Sequence, residues 1–195
     1  MSFISKLKVT FNSKFRESKK FSPVEKEIFN GNYIIAKELL DGLEKGGNFS
    51  ERDKLKSKVL KAYILENLGD PKQSLEILQG NIDGYSNTEN FLLLYDSYIA
   101  KAYCLFDLGN LTDSKDSIDK GLELVNSFPI RNKETSNEIY GKIHFLKSKI
   151  LTKEGNFKES INEMNKSLTF RKYSENYEGL ADIYAELGKL YSGLL

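Results

Sequence analysis

Small and large apolar residues recur along this chain at fixed distances from four glycines, Gly31, Gly69, Gly109 and Gly155. Seven residues before each glycine stand Val24, Ala62, Ala102 and Ser148, and four before the later three stand Leu65, Leu105 and Leu151. Beyond it, the fifth residue is Ala36, Ser74, Ser114 or Ser160, and the ninth is Leu40, Leu78, Ile118 or Met164. Small residues let two helices approach closely and the larger ones fill the space beside them, so the pattern predicts one helical hairpin written four times.

The polar positions agree. Glycine just past a helix end enters the left-handed conformation without a steric penalty, and the Asn or Asp after it can accept from the free N–H groups of a following helix. Asp70 is followed by Pro71 at a first helical position and by Gln73 at the capping-box position, and Asn156 has Glu159 in the same relation; Asn32 has Ile35 there and lacks the reciprocal bond. The pattern predicts helices over about 23–30, 32–45, 52–68, 70–79, 88–108, 110–127, 134–154, 156–170 and 175–193. Loops are expected at KGGNFSE, DGYSNTE and SFPIRNKE.

The glycines are 38, 40 and 46 residues apart, and the stretch ADIYAELGKLY from Ala181 places Tyr184, Leu187, Gly188 and Tyr191 in the pattern W-x2-L-G-x2-Y, with Tyr for Trp. Ala36 with Leu40, Ser74 with Leu78, Ser114 with Ile118 and Ser160 with Met164 match its second half, A-x3-F. The chain thus resembles a tetratricopeptide repeat protein of a longer, roughly 40-residue variety. That resemblance implies an all-α, right-handed solenoid with hairpins at about 22–46, 50–82, 87–127 and 133–170 and a closing helix at about 174–195 that covers the last apolar face. The alternative is one stretch of a longer array.

Charge divides the chain in two. The net charge is +1. Residues 1–21 carry Lys6, Lys8, Lys14, Arg16, Lys19 and Lys20 against Glu17, leaving residues 22–195, the expected repeat domain, mildly acidic. On a helix, Phe3, Ile4, Leu7, Phe11, Phe15 and Phe21 of this arm fall within about one third of the circumference. Such an arm suits a peripheral membrane adaptor tethered to anionic lipid through Phe3, Ile4, Leu7, Phe11 and Phe15 with Lys6, Lys8 and Arg16; equally, it suits a helix that caps the first hairpin. No apolar run reaches the roughly 18 residues of a membrane span, and no signal peptide is evident. The single cysteine, Cys104, excludes an intrachain disulfide and suits a reducing, cytoplasmic setting.

Residues that could carry chemistry have structural explanations. His144 stands at the offset of Tyr98 and Tyr184, and Cys104 at that of Ile64 and Ile150, so both read as packing residues. Asp113, Asp116 and Asp119, interleaved with Lys115 and Lys120, read as a solvated helix face, since a calcium loop needs a bend glycine and a late Glu. With no phosphate loop or paired-cysteine motif, no catalysis, metal or cofactor is expected. The acidic body argues against nucleic acid. The expectation is a non-catalytic scaffold binding a protein or peptide.

The resemblance further implies that the first helix of each hairpin lines a concave groove. On that basis the groove reads Val59, Tyr63 and Asn67, then Ile99, Tyr103 and Asp107 with Phe106 beside them, then Lys142, Phe145, Lys149 and Lys153. Aromatic anchors with a basic end suit a peptide with an acidic segment; the other reading is that Val59, Ile99 and Phe145 pack against neighbouring hairpins. The basic clamp with which some tetratricopeptide domains hold a chaperone C-terminus is matched here only at Lys142.

Overall fold

The computed structural model describes residues 19–84, 90–173 and 177–192. A short 3-10 turn, Lys19–Phe21, leads into nine helices among the described residues: α1 (Ser22–Phe29), α2 (Tyr33–Gly46), α3 (Glu51–Asn67), α4 (Pro71–Gly84), α5 (Phe91–Asp107), α6 (Leu111–Asn126), α7 (Lys133–Lys153), α8 (Phe157–Tyr173) and α9 (Tyr177–Ser192). The described residues are all-helical, and helices adjacent in sequence pack on one another as antiparallel pairs.

Each pair turns on its glycine. Gly31, Gly69, Gly109 and Gly155 have φ of +77°, +88°, +82° and +80°. Two backbone bonds close each turn: Gly69 N–H donates to the Glu66 carbonyl at 3.2 Å and Asp70 N–H to the Leu65 carbonyl at 2.9 Å, and the same bonds recur at the other three. The next helix starts at once. Asp70 Oδ1 accepts from Gln73 N–H at 3.1 Å and Asn110 Oδ1 from Asp113 N–H at 3.3 Å. Asn32 makes no such cap and instead donates through Nδ2 to Glu27 at 2.7 Å.

The small pairs lie where the helices cross. Ala36, Ala62, Ser74, Ala102, Ser114, Ser148 and Ser160 are all fully buried. Their hydroxyls spend themselves on the facing backbone: Ser114 Oγ donates to the Ala102 carbonyl at 2.7 Å, and Ser160 Oγ to the Ser148 carbonyl at 2.9 Å. Nearer the open end of each hairpin a second pair of positions compensates in size. Asn81 donates to the Leu55 carbonyl at 3.5 Å; Tyr95 closes on Gly121; Ser167 donates to the Gly141 carbonyl at 2.6 Å. Where one helix is bulky its partner is bare.

α4 runs to Gly84 instead of stopping near 79. The expected stop, Gly80-Asn81, is overridden because Asn81 is fully buried and its amide ties α3 to α5 through Leu55 O and Ser97 Oγ.

The chain falls into two compact units divided between Phe128 and Pro129. In the first, Leu55, Leu93 and Leu94 form a core with Leu124 against it. In the second, Phe145, Met164, Ile183, Leu187 and Leu190 gather α7, α8 and the closing helix α9 around one core.

Candidate interaction surface

Counting back thirteen, ten, six and two residues from each turn glycine picks out Lys56, Val59, Tyr63 and Asn67 on α3, Asp96, Ile99, Tyr103 and Asp107 on α5, and Lys142, Phe145, Lys149 and Lys153 on α7. The first hairpin contributes Phe21 and Glu25 at the same register. One helical face repeats through the chain, and it includes every groove residue read from the sequence except Phe106, one turn-position away.

Much of this face is interior. Tyr63, Tyr103, Phe106, Phe145 and Lys142 are each no more than 4% exposed. The expectation that Tyr63, Tyr103 and Phe106 stand displayed as anchors is therefore corrected. The cause is the layering: α3, α5 and α7 bury residues all round the helix, whereas α2, α4, α6 and α8 bury only the strip that meets their partner. A helix apolar on every side belongs to the interior. Asn67 and Lys149 are half-buried and Asp107 and Lys153 exposed, so only the C-terminal ends of these helices reach solvent. Asn67 bends its amide back to the Tyr63 carbonyl at 2.7 Å.

Charges sit deep on the face. Lys56 is buried, with Nζ 2.7 Å from Glu25 and 5.6 Å from the centre of the Phe21 ring. Phe21 in turn meets Phe49 edge-on at 5.6 Å, and Lys20 pairs with Asp53 at 2.8 Å. Burial alone would raise the Asp53 carboxyl, but bonds from Lys20 and Ser50 hold it below its ordinary value. The start of α1 is thereby fastened to α3.

In the second unit the core claims Phe145, enclosed by Met164 and by Ile183, Leu187 and Leu190 of α9. Sequence reasoning missed Arg171, whose guanidinium carbon stands 5.0 Å from the Phe145 ring centre and which is only 3% exposed. It fits a slot between two glycines: a Cβ on Gly141 would meet Arg171 Cγ at 2.9 Å, and one on Gly179 would meet Nη1 at 1.9 Å. Those two glycines were the available signal. His144 is half-buried, stacked parallel on Phe170 at 5.4 Å with Nδ1 2.7 Å from Glu163, which makes it a packing and pairing residue.

Cys104 is buried against Ser74 Oγ at 3.3 Å. Asp113, Asp116 and Asp119 are exposed; Asp113 takes part in the α6 cap and Asp116 pairs with Lys120 at 2.8 Å. Among the described residues no cluster of His, Cys, Asp and Glu could hold a metal, and no helix is long and apolar enough to cross a membrane. The membrane-binding set Phe3, Ile4, Leu7, Phe11, Phe15, Lys6, Lys8 and Arg16 lies outside the described residues. The chain matches no protein-family model, no curated protein and no solved structure.

Proposed function

We propose that this chain is a non-catalytic scaffold of the tetratricopeptide type, a right-handed solenoid that holds a protein or peptide partner along the first helices of its hairpins. The observation that carries the reading is the repetition of one face at one register. Polar and charged groups sit among aromatic ones at equivalent positions of α3, α5 and α7, while the second helices present ordinary solvated surfaces. Such a face offers a partner apolar contact for affinity and buried charge for selectivity.

The exposed ends of the face provide the test. Reversing Lys149→Glu with Lys153→Glu, or changing Asp107→Lys, leaves the helical circular dichroism intact because none of the three is fully buried. Capture of partners from the native cell lysate, followed by mass spectrometry, is expected to fall selectively. Capture that survives both sets of changes places the working surface on the second helices or a loop and ends this assignment.

A further inference from the structure

Two sides of α5 are accounted for by its neighbours. Toward α6 lie Tyr95, Tyr98 and Ile99, within 3.7 Å of the place a Cβ on Gly121 would take, and Ala102 beneath Ser114. Toward the preceding hairpin lie Ser97, Lys101 and Cys104, bonded to Asn81, Gln79 and Ser74 at 3.4, 2.7 and 3.3 Å. At 3.6 residues per turn the remaining side carries Leu92, Asp96, Tyr103 and Asp107. Tyr103 is nevertheless only 2% exposed and Asp96 is fully buried. A carboxylate at that depth needs a cation or several donors close by. Its neighbours one turn away on α5 are Leu92, Leu93, Ile99 and Ala100, which supply neither. A further layer, apolar and cationic, suits this side.

The N-terminal arm has that chemistry and starts in the right place. It joins α1 at Phe21, which holds the same register as Val59 and Ile99, and it is pinned to α3 by the Lys20–Asp53 pair and by Phe21 over Lys56. Neighbouring helices lie about 8–10 Å apart, so α5 is about 20 Å from that anchor. Residues 10–18 span about 30 Å when extended, enough to arrive. They read TFNSKFRES, with Phe11 and Phe15 apolar, Lys14 and Arg16 cationic, and Glu17 the one acid.

We propose that residues 10–18 dock on this side of α5 as an intramolecular ligand, Phe11 and Phe15 against Tyr103 and Leu92, and Lys14 or Arg16 against the Asp96 carboxylate. The inference rests on the reading of the first helices as the docking face and adds its regulation: the face carries its own occupant, and a partner binds by displacing the arm. An external ligand must then offer the same pairing of aromatic and cationic groups, at least where it crosses α5.

The test uses the full chain with p-benzoylphenylalanine installed at Phe15, irradiated at low protein concentration and mapped by peptide mass spectrometry. Cross-links in the monomer are expected within 92–107, or on the adjoining face of α3. Lys14→Glu with Arg16→Glu, which alter residues outside the helical core, are expected to cut that yield several-fold. Cross-links to the exposed apolar ridge of Ile35 and Leu39 on α2 would mean that the arm caps the first hairpin. That result overturns the proposal, as do cross-linked dimers, no cross-link within the protein, or a yield indifferent to the charge reversal. The measurement needs no partner, so its failure leaves the capture experiment standing, and failure of capture leaves the docked arm standing.

Discussion

Gly69 allows the sharpest test of the hairpin turns, because the structure separates two costs that usually come together. A Cβ added there meets nothing within 4 Å, so Gly69→Ala creates no clash. What remains is the backbone: φ is +88°, where an L-residue costs about 1–2 kcal/mol. Against this, alanine restricts the unfolded chain and returns about 0.4–1 kcal/mol. The net expectation is a loss of about 1 kcal/mol, a fall in melting temperature of about 2–4 °C for a chain of this size. Valine should lose more and Gly69→Asn less, since asparagine tolerates the left-handed region. The same hairpin holds its own control. Gly80 lies inside α4 with equally open space but ordinary helical backbone, so Gly80→Ala should stabilise by about 0.5–1 kcal/mol. Thermal melts of the two alanine variants should therefore move in opposite directions. If Gly69→Ala is neutral or stabilising, the left-handed turn is not what holds this hairpin.

Gly179→Ala drives a Cβ into the Arg171 guanidinium, which its buried slot prevents from swinging away; overpacking of this kind is expected to cost about 1–3 kcal/mol in chemical denaturation, and Gly188→Ala on the same helix, with open space, should not. Ser50 accepts from Asp53 N–H at 3.1 Å and completes a capping box, so Ser50→Ala should lower stability by about 1 kcal/mol by the same assay. Burial raises the Glu163 carboxyl, but bonds from Lys166 and His144 outweigh it and hold the group below its ordinary 4.5. The stability it contributes is thus fully present above that value and lost as the pH falls through the lower folded one. Acid titration of Glu163→Gln should show a shallower loss over that window than the parent chain, and an unchanged acid limb would remove the pair from the account.

The hairpin turns were legible because each rests on a backbone conformation that one residue type adopts cheaply, and the small residues opposite Ala62 and Ala102 carried the crossing point with them. Burial of the first helices was harder to read. Tyr63 and Tyr103 have the same composition whether they face a partner or an interior layer, and only their setting decides. The clue lay in the other sides of α3, where Leu60, Ile64 and Leu65 leave no polar flank opposite Tyr63. Arg171 escaped for a different reason: its slot is built by glycines on two other helices, and the absence of a side chain leaves no periodic trace. The compass of the arm, amphipathic on paper, is likewise settled by what it meets and not by its own pattern.

The reciprocal sizes at the open ends of the hairpins set the grain at which such a chain can be recombined. Tyr95 requires the bare Gly121, while Gly141 faces Ser167 and Leu55 faces Asn81. Transplanting α5 alone into the place of α7 would set a tyrosine against Ser167 and Arg171, and the reverse graft would leave a hole beside Gly121. A whole hairpin carries both halves of the bargain with it. The heritable module is therefore the pair of helices with its glycine turn, and duplication, deletion or exchange that cuts within a hairpin should be far less tolerated than a cut in the loops between them.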